Sequence, residues 1–287
     1  MSEALSSTSE EEENGLPVLR APDEPGPCEV VNEAGRAPVL LVCDHASNFI
    51  PRSLDNLGLS EAELQRHIAW DIGIAEVTRG LAERLDAPAL LSHFSRLVID
   101  PNRSLETESS IPVESDGVAI PGNQGLSARE RQARVAQFFR PYQQTIGRYL
   151  DRMSAEGPGP AMISMHSFTP VINGRERPWK IGVLWNRDPR IPMPVMNELA
   201  ARGIPYGDNE PYSGRDYHGY TIHQQAEPRG IPNILLEVRQ DLIDTRAGAA
   251  EWVEILADLL APILADPAIY RAECAPAGVA AENRESP

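Results

Sequence analysis

Apolar and polar positions follow two rhythms along this chain. Pro38-Val39-Leu40-Leu41-Val42-Cys43 is an unbroken apolar run, the mark of a strand buried on both faces. Residues 71–86 instead place Ile74, Val77, Leu81 and Leu85 three and four apart, which predicts a helix. Ala89-Leu90-Leu91 and Leu97-Val98-Ile99 predict two further strands. Ser127 and Glu130 form a capping box at the head of a long helix, 127–154, which Pro141 should kink or divide. Ala161-Met162-Ile163-Ser164-Met165, Ile181-Gly182-Val183-Leu184-Trp185 and Asn233-Ile234-Leu235-Leu236-Glu237-Val238 read as strands, with helices over 193–202 and 247–264. Strands alternating with helices predict an α/β fold. The expectation is a single domain, about 37–266, with a mainly parallel sheet covered by helices on both faces.

The flanks break this rhythm. Residues 1–36 are rich in Ser, Glu, Pro and Gly and predict a disordered acidic leader; residues 267–287 predict a loose C-terminal tail. Within the domain, 101–125 and 203–230 are Gly- and Pro-rich stretches with few apolar residues. Loops that long in a compact domain are usually functional.

Charge narrows the partners. The 287 residues carry 42 acidic and 26 basic side chains, a net charge of −16. That excludes a general nucleic-acid binder and disfavours an anionic membrane surface. More than half of the net charge lies in residues 1–36 and 265–287. Lys180 is the only lysine, so the basic residues are almost all Arg. Arg can grip a carboxylate through two parallel hydrogen bonds, although a compositional bias explains the excess equally well. Cys28, Cys43 and Cys274 are widely spaced and form no disulfide or CxxC pattern. No signal peptide and no apolar run of membrane length is present, and a cytoplasmic setting is expected.

The chain has no P-loop, no GxGxxG after a strand, no GxSxG elbow and no HExxH. The positive signal is positional. His45 follows the first buried strand directly, His166 follows another, and Glu237 sits late in a third. Ligands of open parallel sheets bind beyond the carboxyl ends of strands. A catalytic zinc takes three protein ligands and keeps one position open. His45 and His166 supply two. Asp44 points to the other side of an extended strand, so Asp71 is the better third ligand, although Asp71 can equally cap its helix. Glu237 is then the general base for a metal-activated water, unless it is tied to Arg239 on the same face.

A second signal is Ser95-Arg96-Leu97-Val98-Ile99-Asp100-Pro101-Asn102-Arg103, with Arg239 added after Glu237. These Arg residues can bind a substrate carboxylate. The competing reading is internal pairing: Arg96 or Arg103 with Asp100, and Arg239 with Asp241. Of the other histidines, His67 lies near the Asp71 helix start and His93 in a strand. His218 and His223 reach the site only if their loop folds over it.

At these residues the chain resembles the N-formylglutamate amidohydrolase family. The matching pieces are Asp44-His45-Ala46-Ser47, the Asp71 helix start, the run Ser95 to Arg103, Met165-His166-Ser167-Phe168-Thr169-Pro170, Asn209-Glu210-Pro211-Tyr212 and Leu236-Glu237-Val238-Arg239-Gln240, in order over about 200 residues. The resemblance implies a fold like that of zinc amidases and zinc carboxypeptidases. It implies zinc-dependent hydrolysis of the N-formyl amide of a small N-acyl amino acid, such as N-formylglutamate, to formate and the free amino acid. It assigns His45, Asp71 and His166 to zinc, Glu237 to proton transfer, and Arg96, Asn102, Arg103 and Arg239 to the substrate. One departure is that Asn48 stands where carboxypeptidase-type sites carry a Glu, three residues after the first His. Rival readings are a zinc amidase for a cell-wall fragment and a non-catalytic binding module on the same fold.

Overall fold

The computed structural model describes residues 15–157, 159–215 and 219–271. Cys274, His218 and most of the C-terminal tail lie outside them. Eleven strands are formed among the described residues. In chain order these are β1 (Cys28–Val31), β2 (Val39–Cys43), β3 (Ala89–Ser92), β4 (Glu114–Ser115), β5 (Val118–Ala119), β6 (Ala161–Phe168), β7 (Val171–Ile172), β8 (Arg175–Glu176), β9 (Ile181–Leu184), β10 (Tyr206–Asp208) and β11 (Asn233–Arg239). Seven of them make one sheet in the order β1-β3-β2-β6-β11-β9-β10. β3, β2, β6 and β11 run parallel, the expected core. β1 is antiparallel to β3, and β9 is antiparallel to β11, so the sheet is mixed at both sides.

The period of two decides which face each side chain takes. Leu41, Cys43, Ile163, Met165, Leu236 and Val238 point to one face, into the larger core cluster. There they meet three helices: α2 (Ile74–Arg84), α5 (Pro192–Ala201) and α6 (Arg246–Leu264), where α1 (Glu61–Leu64) is a short earlier turn and α3 and α4 are given below. Each fully buried Leu or Ile here resists truncation to Ala by about 2–5 kcal/mol. Leu40, Val42 and Met162 point to the opposite face, against Tyr142, Ile146 and Leu150. His166 and Glu237 alternate with the first set, so they also lie on this second face.

The long predicted helix is a helix with a widened turn. α3 (Ala128–Arg134) passes through a π turn, Val135–Phe139, into α4 (Arg140–Glu156). Pro141 has no N–H and its ring crowds the preceding turn, which widens rather than breaks. The Ser127–Glu130 capping box is present as expected.

Two expectations need correction. Leu97-Val98-Ile99 is a turn, not a strand. The Ser95 Oγ accepts from the Leu97 N–H (3.2 Å) and its carbonyl accepts from the Val98 N–H (2.9 Å), so local bonds replace a sheet partner. The three apolar side chains fill a separate cluster with Phe94, Ile120 and Phe138. Within the stretch read as a disordered leader, residues 28–31 form edge strand β1. Arg79 of α2 holds this strand through a two-pronged bond to Glu29 (3.0 and 2.7 Å).

Two further contacts position the loops around the site. Gly73, at φ 81°, opens α2 where a Cβ would lie 2.1 Å from the Ile243 carbonyl oxygen, just past β11. Arg134 is buried and donates to the Val98 carbonyl (2.9 Å), Asn123 Oδ1 (2.6 Å) and the Gly122 carbonyl (2.9 Å), fastening the 101–125 loop to α3. Burial lowers its pKa to about 10, so it stays charged at neutral pH.

Candidate metal centre and active site

Three strand ends and one helix entrance converge. His45 follows β2, His166 lies in β6, Glu237 lies in β11 as the direct neighbour of His166, and Asp71 precedes α2. All four are buried. Asp71 does not cap its helix: Gly73 occupies the cap position and no side chain bonds there. The Asp71 carboxylate turns inward instead. Its Oδ2 lies 2.9 Å from His166 Nδ1 and 3.4 Å from His45 Nδ1, and it accepts from the Ser167 N–H (3.3 Å).

The opposite ring nitrogens are also held. His45 Nε2 lies 2.7 Å from Asp100 Oδ1, and His166 Nε2 lies 3.2 Å from Asp44 Oδ2. An N–H at each Nε2 would satisfy these two carboxylates, and a cation held among the three groups would take both Nδ1 lone pairs in place of Nδ1–H bonds to Asp71. Asp44 does point away from His45, as expected for adjacent residues of an extended chain. It is anchored by the Thr221 hydroxyl (2.9 Å) and serves the second histidine. Sequence reasoning missed Asp44 and Asp100 as histidine partners; the adjacency of Asp44 to His45 was the available signal.

These three ligand atoms suit a cation. His45, Asp71 and His166 each bring one atom to within 4.8 Å of the others. Tetrahedral zinc ligands at about 2.0–2.1 Å from the ion stand about 3.3 Å apart, close to the Nδ1–Oδ2 spacings here. Two imidazoles and one carboxylate are a donor set that zinc accepts.

Electrostatics concentrate on the same groups. Burial alone would raise the Asp71 carboxyl, but the His45 charge and the histidine hydrogen bonds hold it far below the usual range. Burial would also raise Asp100; Arg96 and His45 overcome it and hold that carboxyl low. Burial opposes a charged His166, yet its bonds to Asp44 and Asp71 lift its pKa to about 10. Glu237 goes the other way: burial, with the Asp71 charge beside it and against the pull of His166, pushes its carboxyl up to about 7. Its Oε2 is buried without any hydrogen-bond partner. The expected alternative, a tie to Arg239, is not formed.

The expected arginines divide. Arg96 lines the cavity, but its guanidinium grips Asp100 (3.1 and 2.8 Å) and reaches Asp71 (3.4 Å). Arg239 is absent from the cavity lining; it binds Asp241 (2.7 and 3.1 Å) and two backbone carbonyls, the internal pairing weighed for it. Arg103 and Asn102 both face the cavity. The Asn102 Oδ1 accepts from the Thr221 N–H (2.9 Å), which fixes the amide with its NH₂ turned to the His166 side.

The cavity measures about 340 Å³ and sits over the second sheet face. The 203–230 stretch supplies much of its wall, including Tyr212, Ile222, His223 and Glu227. His223 Nδ1 lies 2.8 Å from Glu227 Oε2. His67 also lines the cavity, and burial lowers its pKa. His93 does not; its Nδ1 binds the Gly26 carbonyl (2.8 Å). No helix among the described residues is long and apolar enough to cross a membrane.

Comparison with known proteins agrees with this geometry. A family described as N-formylglutamate amidohydrolase matches residues 37–244. The N-formylglutamate deformylase of Pseudomonas aeruginosa is 29% identical over 132 residues, 42% of this chain, and the match spans only about half (48%) of that relative. Among solved structures, a gene product of Agrobacterium tumefaciens superposes with a TM-score of 0.83 at 35% identity, over 86% of this chain and 98% of that one. An N-formylglutamate amidohydrolase from Ralstonia eutropha shares the fold, with a TM-score of 0.63 at 17% identity over 84% of this chain and 98% of its own. By sequence over most of its length, and by a fold that brings the matching residues together, the chain belongs to the N-formylglutamate amidohydrolase family.

Proposed function

We propose that this protein is a zinc-dependent amidohydrolase that cleaves the N-formyl amide of a small N-acyl amino acid, N-formylglutamate or a relative of it, to formate and the amino acid. One observation carries the reading: Glu237, with an unpartnered buried carboxylate oxygen, is the sheet neighbour of His166 in a group of three metal-type ligands. A cavity of about 340 Å³ is sized for a small molecule rather than a polymer.

His45, Asp71 and His166 would hold the ion. When bound, zinc supplies Lewis acidity that favours ionisation of water and polarises an amide carbonyl. The remaining work falls to the chain itself. Glu237 takes a proton from the attacking water and returns it to the departing nitrogen. Burial of its carboxylate, away from competing donors, keeps that oxygen available for the transfer. The Asn102 NH₂ donates to the substrate, and Arg103 binds its α-carboxylate. Arg96 braces Asp71 and Asp100 instead of touching the substrate.

The test is formate release by zinc-loaded protein from a panel of formyl and acetyl amino acids, with bound metal measured in parallel. His166→Ala should lower the metal-to-protein ratio and abolish release together. Metal-loaded protein that releases nothing from any member of the panel would overturn the assignment.

A further inference from the structure

Arg177 is 7% exposed, and among the described residues no carboxylate pairs with it. It follows the β7–β8 hairpin, which its N–H closes on the Pro170 carbonyl (2.8 Å). Its Nη1 donates to the Thr169 carbonyl and hydroxyl (both 3.3 Å), and its Nη2 donates to the Tyr212 hydroxyl (3.2 Å). The Phe168 and Tyr212 ring centroids lie 5.7 and 5.0 Å from its Cζ. A buried guanidinium held only by neutral oxygens keeps much of its desolvation cost. Arg134 bears a similar cost, but its acceptors at Val98, Asn123 and Gly122 are not part of the cavity lining. Phe168, Thr169 and Tyr212, around Arg177, all line the cavity.

Tyr212 ends the run Asn209-Glu210-Pro211-Tyr212, which has no part in the reaction above. This run is fastened to the end of β9. The Asn209 N–H donates to the Val183 carbonyl (2.9 Å), and Asn209 Oδ1 accepts from the N–H groups of Trp185 (3.1 Å) and Gly214 (2.9 Å). Gly182 and Gly207 allow a close approach here, since a Cβ at either would collide with the Glu210 carbonyl oxygen. Such anchoring orders Tyr212 before a ligand arrives. The Tyr212 oxygen accepts from Arg177, so its proton is left to donate, and no described residue accepts it. Accepting from a cation polarises the hydroxyl and strengthens its own donation. The acceptor that suits it best is an anionic oxygen.

Other basic groups around the cavity have acids of their own. Arg96 grips Asp100 and Asp71, His223 pairs with Glu227, and His67 lies 3.6 Å from Asp116. Arg103 serves the α-carboxylate in the reading above. Arg215, 5.2 Å from the Trp185 ring centroid, is exposed, so water carries its charge. Thr169 follows His166 by three residues, roughly 10 Å of extended chain, so the Arg177 guanidinium is anchored away from the metal-type ligands. We propose that Tyr212 binds the side-chain carboxylate of an acidic N-acyl amino acid and that Arg177 is the positioning residue that aims and polarises its hydroxyl. The proposal rests on the amide hydrolysis above, and binding to protein that does not turn over separates the two.

The experiment titrates zinc-loaded Glu237→Gln protein, with and without Tyr212→Phe, by calorimetry. The ligands are N-formylglutamate, N-formylglutamine and the α-amide of N-formylglutamate; formate release from the same compounds is followed with Glu237 intact. Tyr212→Phe should weaken N-formylglutamate and its α-amide by about tenfold or more, the usual contribution of a hydrogen bond to a charged group, and leave N-formylglutamine within about twofold. KM should follow the same pattern, with kcat little changed. Arg177→Met should give the same selective loss and add little to Tyr212→Phe, and Arg177→Lys should restore part of it. An Arg177 that only clamps the hairpin would move all the ligands together and lose its positioning role. Selective loss without formate release from any compound would keep the carboxylate site and overturn the reaction. The site is overturned by unchanged affinity in Tyr212→Phe, by equal loss for every ligand, by loss that follows the α-carboxylate, or by no binding at all. Selective loss in Arg215→Ala but not in Tyr212→Phe would also overturn it and give the carboxylate to Arg215.

Discussion

Nε2 of His45 and Oδ1 of Asp100 stand 2.7 Å apart, and the pair is repeated by His166 and Asp44 at 3.2 Å. Each proposed imidazole ligand thus has its own buried carboxylate on the side facing away from Asp71. Such partners fix the tautomer and ring orientation and typically contribute 10–100-fold in metal affinity. Asp100→Ala and Asp44→Ala should each weaken zinc binding by roughly that factor. Competition against a chromophoric chelator measures it, and unaltered affinity in both variants would mean that other contacts orient the rings.

Glu237→Gln tests the proton transfer. Glutamine keeps the size of the side chain and removes its basicity. Turnover should fall by about 10²–10⁴-fold, the usual contribution of a positioned acid–base group, while the metal content stays at the unsubstituted level. A near-normal rate would place the base elsewhere.

Arg134 is a structural prediction. Its guanidinium satisfies two buried oxygens, those of Val98 and Asn123, and a part-buried one of Gly122. Arg134→Met fills similar space but leaves these acceptors without a donor. Each orphaned buried acceptor costs about 1–3 kcal/mol, offset in part by no longer burying a charge. Urea unfolding should show a loss on the order of 3 kcal/mol. A midpoint equal to that of the unsubstituted protein would show that the 101–125 loop is held by its apolar contacts alone.

The Glu29–Arg79 pair predicts a pH dependence. The Arg79 hydrogen bonds, against partial burial, hold the Glu29 carboxyl below its ordinary value. A lowered folded pKa means that the stabilisation is present above the unfolded pKa, about 4.3, and is lost as pH falls through the folded value. The group is partly exposed, so the pair contributes about 0.5–1 kcal/mol. Glu29→Gln should lower the Tm at pH 7, and the gap to the unsubstituted protein should narrow as pH falls below the unfolded value. A gap independent of pH would assign the effect to packing of β1.

How much was legible in the sequence follows from what each signal depends on. The buried strands were readable because Val39–Cys43 is apolar without interruption and Ile234–Val238 is interrupted only by Glu237, and a strand covered on both faces needs such a run. Strand β1 was not readable, because Cys-Glu-Val-Val between Pro, Gly and Glu has too few residues to show a period. Leu97-Val98-Ile99 failed for a related reason: three apolar residues fit any buried segment, and Ser95 decided for a turn. In the site, His45, His166 and Glu237 were visible by their place after or within strands. Asp100 was visible only as an ion-pair partner for Arg96; that it also holds His45 depends on a contact across 55 residues. For Arg239 the sequence left two readings open, a substrate carboxylate or Asp241, and the fold pairs it with Asp241.

Gly73 carries no functional group, yet it works as a spacer gauge. Asp71 lies two residues before it, and the Ile243 carbonyl it abuts lies a few residues after Glu237. The clearance there is smaller than a methyl group. The separation between the proposed ligand carboxylate of Asp71 and the proposed base carboxylate of Glu237 is therefore limited by backbone against backbone. Side chains at the site can change its chemistry, but its dimensions are set where there is no side chain at all.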